Sequence, residues 1–333
     1  MTADGKPTAA GRGAGSGRFV LFNAPTSENA YHNFLDFVAV VPPIGITSIA
    51  AVVERAGCEA EILDADAMGL TVDETVARIV QARPGYIGAT TMTATMDILN
   101  GIFVRLKKEL PEAVIVVGGP HASAIPEQTL NDCDAIDVAV IGEGDETVVE
   151  LLDCLTRGGS LGNVGGIAFR RNAEVVRTAA RAPIADLSSL PLPAYHLLDF
   201  DLYRSYMWNN WVSGNRSPIG VVFAGRGCFG RCNFCRAPCV FAYGIRYFPA
   251  DPIDKEIDFL VERYGTRVLY FQDDTFNVNR RLVNRICDFL IDRGYNNTIE
   301  TMVSARVDTA HAPTLKRMRQ AGIRWICYGV ESG

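Results

Sequence analysis

The chain has 333 residues, 48% apolar and 21% charged, with a formal net charge of −6 and nine cysteines. That length suits two domains, and the composition is that of an ordinary soluble globular protein rather than a fibrous or low-complexity one. The acidic balance argues against a nucleic-acid footprint, and no apolar run reaches the length that spans a bilayer, so neither a nucleic-acid nor a membrane partner is expected. Residues 1–17, rich in Gly, Ala and Thr, read as a disordered tail without the apolar segment of a secretory signal. The cysteines do not form a disulfide framework, which points to a reducing, cytoplasmic setting.

Residues 18–157 alternate strand and helix patterns. Short β-branched runs lie at Arg18–Asn23, Glu59–Asp64, Tyr86–Thr91, Ala113–Gly118 and Val138–Gly142. Helical patterns separate them. One opens at Pro42-Pro-Ile-Gly45, runs through Arg55 and is closed by Gly57. A second runs from Thr71 to Ala82, a third from Ile98 to Leu110 and a fourth from Glu146 to Leu155. This alternation predicts a parallel, doubly wound sheet with ligands at the carboxyl ends of its strands. The loops at those ends are Thr90-Thr-Met-Thr93, Gly118-Gly-Pro-His121 and Gly142-Glu-Gly-Asp145. Paired glycines let a flat ligand approach the backbone, and threonine hydroxyls can hydrogen-bond a buried heterocycle.

Residues 158–217 read as a linker. A hairpin is expected around Arg171-Asn-Ala173, and a stiff extended stretch at Leu187–Pro193. Met207-Trp-Asn-Asn-Trp211 either lines a substrate entrance or packs between domains.

The second domain, 218–333, begins with the β-like run Ile219–Ala224. This run feeds Gly225-Arg-Gly-Cys-Phe-Gly-Arg-Cys-Asn-Phe-Cys235, which sets Cys228, Cys232 and Cys235 at C-x3-C-x2-C. Three such thiolates can hold three corners of one iron–sulfur cube. The fourth iron is left open to chelate a substrate's amine and carboxylate. A zinc knuckle is the competing reading, but it pairs two C-x2-C units or adds histidines. Cys239 is a conceivable fourth ligand; the three-cysteine spacing is already complete without it. Phe234 stands where it can cover the cluster or line a nucleobase pocket. Helix and strand patterns then alternate to the end of the chain. The strands stop at Asp273-Asp-Thr-Phe276, at Val307-Asp308 and at Glu331-Ser-Gly333, gathering polar residues at carboxyl ends as parallel barrels do.

The order of these motifs resembles that of cobalamin-dependent radical S-adenosylmethionine (SAM) enzymes. The resemblance covers 18–333 and rests on Pro42-Pro-Ile-Gly45, Gly118-Gly-Pro-His121, Gly142-Glu-Gly-Asp145, Arg226-Gly-Cys228, Asp273-Asp-Thr-Phe276, Ser304-Ala-Arg-Val-Asp308 and Gly329-Val-Glu-Ser-Gly333. It implies an α/β fold: a Rossmann-like doubly wound cobalamin-binding domain at 18–157, then a partial (β/α)6 radical SAM barrel at 218–333. It implies a 4Fe-4S cluster on Cys228, Cys232 and Cys235. SAM contacts would come from Phe234, Asp273 or Asp274, Arg306 and Glu331. Cobalamin contacts would come from Thr90, Thr93, Gly118, Gly119, His121, Gly142 and Glu143.

One departure concerns cobalt. Many cobalamin domains carry Asp-x-His-x-x-Gly after the first strand. Here that loop runs Asn23 to His32 without the motif, and Asp64-Ala-Asp-Ala-Met-Gly69 follows strand two and lacks the histidine. No protein histidine on cobalt is expected; His32 reads as a solvated loop residue and His121 as a pocket contact. Taken alone, the first domain also suits a flavodoxin-like unit without cofactor.

The implied activity is radical methylation of an unactivated carbon, or phosphorus, of a small-molecule substrate. SAM bound at the open iron would be cleaved to a 5′-deoxyadenosyl radical, cobalamin would carry the methyl group, and a flavodoxin- or ferredoxin-type donor would supply electrons. A cyclase or rearrangement enzyme would share every motif, and a non-catalytic cobalamin sensor would keep the loops without turnover. A methylthiotransferase would need three further cluster cysteines, and Cys58, Cys133 and Cys154 lack that spacing. Six-stranded barrels of this kind would extend past the four strands seen here. The reading therefore expects a truncated product with an edge strand at 324–329.

Overall fold

The computed structural model describes residues 17–26, 40–204 and 217–331. His32, Trp208 and Trp211, singled out above, lie outside the described residues.

The first domain is built on β1 (Arg18–Asn23), α1 (Ile44–Arg55), β2 (Glu59–Asp64), α2 (Val72–Ala82), β3 (Tyr86–Thr90), α3 (Met96–Glu109) and β4 (Val114–Gly118). Thr71 starts α2 with a reciprocal capping box: its hydroxyl accepts the Glu74 N–H, and Glu74 accepts the Thr71 N–H. Two short helices, α4 (Pro120–Ala124) and α5 (Pro126–Asp132), follow β4 where the sequence reading expects none. Each begins on a proline, whose fixed φ suits the first helical position. β5 (Val138–Val140) and α6 (Gly144–Thr156) complete the alternation.

The strand order is β2-β1-β3-β4-β5, all parallel, continued by β6 (Ile167–Arg171) and β7 (Glu174–Arg177), both antiparallel. The hairpin that the sequence reading assigned to the linker is thus the edge of the first sheet. Ile167 and Phe169 are fully buried on the face that α1 and α6 cover, so the hairpin belongs to that core. Its turn residues Asn172 and Ala173 have φ of 51° and 66°, the twist that a tight hairpin needs. Both sheet faces are buried. Val20, Phe22, Ile87 and Ile115 pack with Ile79 of α2 and Phe103 of α3; Phe19, Leu21, Val116 and Val140 pack with α1 and α6. Strand order reverses at β1, with β2 added on one side and β3 on the other, which makes the carboxyl end of β1/β3 the switch-point crevice.

The second domain starts at β8 (Ile219–Val222). A small ribbon of β9 (Gly225–Arg226) and β10 (Arg246–Tyr247) brackets the cysteine loop and the short helix α7 (Ala237–Phe241). Then come α8 (Ala250–Tyr264), β11 (Val268–Phe271), α9 (Arg280–Asp292), β12 (Glu300–Arg306), α10 (Ala312–Gln320) and β13 (Ile323–Gly329). These give a parallel sheet in the order β13-β12-β11-β8.

The connector before β8 does more than span a distance. Tyr195, Phe200 and Tyr203 are buried in the second domain's core. Tyr203 donates to Asp64 Oδ2 of β2 at 2.9 Å and so ties the two domains. Tyr195 Oη lies 2.6 Å from both the Val221 carbonyl and Glu256 Oε1. A hydroxyl has one proton, so both contacts are satisfied when Glu256 is itself protonated and donates. Burial pushes the Glu256 carboxyl up to about 7, in line with that arrangement.

Candidate active site

The cysteine loop leaves β9 and returns at β10. Gly227 sits at φ +93°, and a Cβ there would lie 2.4 Å from the Gly244 carbonyl oxygen, so only glycine closes this neck. The Gly244 N–H donates to the Cys228 carbonyl at 3.1 Å. Inside the loop, the Gly230 N–H donates to Cys228 Sγ at 3.3 Å. The sulfurs of Cys228 and Cys232 lie 3.4 and 3.6 Å from the point where a Cβ on Gly230 would stand. These two thiols therefore converge on a space that a side chain would fill, while Cys235 is exposed beside them. Among the described residues, no three His, Cys, Asp or Glu side chains are grouped to hold one metal ion. A cube makes no such demand, because each cysteine binds a different iron, whereas zinc needs its ligands around one point. The donor set and the side-chain-free space fit a cluster.

The ends of the neighbouring strands meet this loop. Thr275, after β11, places Oγ1 3.6 Å from Cys228 Sγ. Arg306, at the end of β12, points Nη1 at Cys232 Sγ, 3.6 Å away, with its guanidinium carbon 5.2 Å from the Phe229 ring centre. Asp274 and Phe234 are exposed, the latter at 63%. Glu331 is exposed beyond β13 at φ +61°, a conformation uncommon for a residue with a side chain. Asp273 is placed differently from its neighbour. It is 5% exposed, and its Oδ2 accepts the Ala224 N–H at 3.0 Å, with the Gly225 N–H also bonded to the carboxylate. Burial pushes its carboxyl up to about 7. Asp273 thus anchors the start of the cysteine loop, and Asp274 is the member of the pair that faces outward.

A cavity opens at the switch point of the first sheet, between β1, β3, β4 and α1. Its floor is Gly88 and Val116, its side Ile46 and Ile49, and its mouth Thr90, Gly118, Gly119 and Gly142. Glycine is required here for space. A Cβ on Gly88 would lie 2.6 Å from Leu21 Cδ2, and one on Gly119, at φ +95°, would lie 2.7 Å from Thr90 Oγ1. A narrow apolar slot with hydroxyls at its rim fits a flat heterocycle such as the nucleotide base of a cobalamin tail. Thr93 Oγ1 lies 3.0 Å from His121 Nδ1, and burial holds the His121 imidazole below its usual pKa.

Three features escaped the sequence reading. Thr91, fully buried, donates from Oγ1 to the Gly118 carbonyl at 2.7 Å and accepts the Ala122 N–H at 3.1 Å; it pins the two strand ends that form the rim. Glu143, expected to touch cobalamin, lines the cavity but has both oxygens engaged: Oε1 with Arg226 at 3.0 Å, Oε2 with Arg246 at 2.6 Å and with the Ile184 N–H at 2.9 Å. Arg226 also grips Asp145 through two bonds of 2.8 and 3.1 Å. The Gly142-Glu-Gly-Asp145 loop of one domain is thereby clamped to the Arg226-Gly-Cys228 strand of the other through buried charges. The opposite charges of these two motifs were the available signal. Finally, the cavity's roof is Phe223, Arg226, Val240 and Phe241, all from the second domain.

Comparison with known proteins accords with this layout. A family model for the B12-binding domain matches residues 34–152. An uncharacterized methyltransferase of Pyrococcus horikoshii is 30% identical over 314 residues, covering 94% of this chain and 65% of that protein. The anaerobic magnesium-protoporphyrin IX monomethyl ester cyclase of Synechocystis is 29% identical over 296 residues, 88% of this chain and 57% of the cyclase. The chain thus spans under two thirds of the length of these relatives. The structure of TsrM from Kitasatospora setae, a radical SAM methyltransferase with cobalamin and a 4Fe-4S cluster bound, superposes with a TM-score of 0.73 at 16% identity, over 95% of this chain and 59% of TsrM. The cobalamin-dependent SAM radical enzyme OxsB gives 0.73 at 19% identity, over 96% and 44%. The chain thus carries a B12-binding domain and has the two-domain fold of cobalamin-dependent radical SAM enzymes, with its cysteine loop following β8.

Proposed function

We propose that the chain is the cofactor-binding part of a radical SAM methyltransferase that acts on an unactivated carbon, or phosphorus, of a small molecule. One observation carries the reading. Val240 and Phe241, just past Cys235 in the cysteine loop, roof the slot in the B12-binding domain, so the two cofactor sites face each other. Cys228, Cys232 and Cys235 would hold the cluster, and Phe234, Asp274, Glu331 and Arg306 would contact SAM. Thr90, Thr93, Gly118, Gly119, His121 and Gly142 would receive cobalamin. When bound, the cluster and SAM supply a carbon radical and cobalamin a transferable methyl group.

The chain's own residues hold this arrangement in place. Asp273 fixes the root of the cysteine loop through the Ala224 N–H. The Arg226, Arg246, Glu143 and Asp145 network holds the two domains in register. The apolar side chains Phe223, Val240 and Phe241 would limit water in the slot. A one-electron carrier of flavodoxin or ferredoxin type would serve as the electron source. Among the described residues, no helix is long and apolar enough to cross a membrane. The name of a further relative, the cytidylyl-2-hydroxyethylphosphonate methyltransferase of Streptomyces wedmorensis, supports methyl transfer; it is 25% identical over 274 residues, 70% of this chain and 51% of that protein.

The test is anaerobic reconstitution with iron, sulfide and hydroxocobalamin, followed by methyl-labelled SAM and candidate extracts. Formation of 5′-deoxyadenosine with label in a product supports methyl transfer. Formation of 5′-deoxyadenosine with no label in product favours the cyclase reading, which the Synechocystis relative keeps in view. A corrinoid-loaded chain that never cleaves SAM would mark a sensor and overturn the proposal.

A further inference from the structure

The site above leaves Arg306 with more partners than a SAM contact requires. Its Nε and Nη2 donate to Asp308 Oδ1 and Oδ2 at 3.0 and 2.7 Å, a two-pronged grip that fixes the plane of the guanidinium. Its face lies over Phe229, and Nη1 reaches Cys232 Sγ at 3.6 Å, within range for a donor to sulfur. The approach depends on Gly230, where a Cβ would stand 2.9 Å from Nη1. Two loop residues, Phe229 and Gly230, and Asp308 beyond β12 therefore let Arg306 aim a permanent positive charge at one cluster thiolate.

We infer that Arg306 sets the reduction potential of the cluster held by Cys232, with Asp308 as its orienting and opposing partner. The inference rests on the reading of Cys228, Cys232 and Cys235 as cluster ligands. Reducing the cluster adds one electron. A hydrogen bond to a ligand sulfur and a nearby cation both stabilise that added charge, and such contacts are among the factors that set iron–sulfur potentials. Asp308 carries the opposite charge on the far side of the guanidinium and offsets part of the effect. The two residues thus predict shifts of opposite sign. A residue that merely held the fold would shift both variants the same way, or neither.

The experiment is a graded dithionite titration, read by the electron paramagnetic resonance signal of the reduced cluster, on the reconstituted chain without SAM. Iron and sulfide are counted on each sample first. Arg306→Gln should make reduction about tenfold less favourable, a fall of about 59 mV for one electron. Asp308→Asn should raise the midpoint, and Arg306→Lys should fall between Arg306→Gln and the unaltered chain. An unaltered chain that assembles no cluster refutes the ligand reading itself and is seen in the iron count. A normal iron count with an Arg306→Gln midpoint equal to the parent's overturns the inference, as does a fall in Asp308→Asn. If Arg306→Gln fails to hold iron, Asp308→Asn decides: a rise supports the inference, and an unchanged midpoint ends it.

Discussion

Replacing Asp273 by Asn should raise stability relative to the parent as pH increases. The cause is a carboxylate sealed beneath the cysteine loop. Asp273 is 5% exposed, and its surroundings raise the carboxyl from 3.8 to about 7, chiefly through desolvation, with the neighbouring Asp274 charge adding a little. Because the folded pKa is the higher one, folding takes up a proton between these values. The stability this proton confers is whole below pH 3.8 and is lost as pH rises through 7. The separation is about three units at 1.36 kcal/mol each, so the full span is about 4 kcal/mol, of which about 2–3 kcal/mol falls between pH 5 and pH 8. Asn keeps an oxygen to accept the Ala224 N–H and carries no charge, so its own stability should not follow this curve. Urea unfolding of the parent and of Asp273→Asn at pH 5, 6.5 and 8 reads the difference directly. A difference that does not change with pH would mean that Asp273 is solvated, and the anchoring role argued here would fall.

Alanine at Cys228, Cys232 or Cys235 should abolish a reconstituted content of about four irons and four sulfides per chain, whereas Cys239→Ala should retain it; iron and sulfide assays decide. Gly118→Leu should fold normally and retain no corrinoid by absorption spectroscopy, because a Cβ there meets only Val140 at 3.8 Å while the longer side chain fills the mouth of the slot. Gly119→Leu is the poorer test, since φ +95° and Thr90 Oγ1 at 2.7 Å make it a folding defect first. Arg226→Met should strand Asp145 and half of Glu143 as buried charges, at a cost of about 3–5 kcal/mol, and appear as an earlier unfolding step or as new proteolysis between the domains. Cleavage and unfolding profiles identical to the parent's would show that the clamp does not hold the domains together.

Local pattern is enough to reveal much of this protein. Apart from the two-residue strands β9 and β10 and the short α7, the main strands and helices follow from β-branched runs, the Thr71 cap and closing glycines, because periodicity and backbone preference act within a few residues. The C-x3-C-x2-C spacing names its chemistry for the same reason: three thiolates in one tight loop need no distant partner to suggest a cluster. The short helices α4 and α5 carried no such pattern, since a helix of five or seven residues shows less than two turns of periodicity. Other assignments depended on contacts between residues far apart in sequence. Asp273 and Asp274 are adjacent and chemically alike. Only the packing of β11 against the end of β8 buries one under the loop and leaves the other outside. Glu143 reads as a ligand contact until Arg226, 83 residues away, is found against it. The hairpin at 167–177 looks like a connector until β5 offers it an edge. Charge pairing and burial are properties of neighbours in space, and a chain read one residue at a time records which groups are present without recording which of them meet.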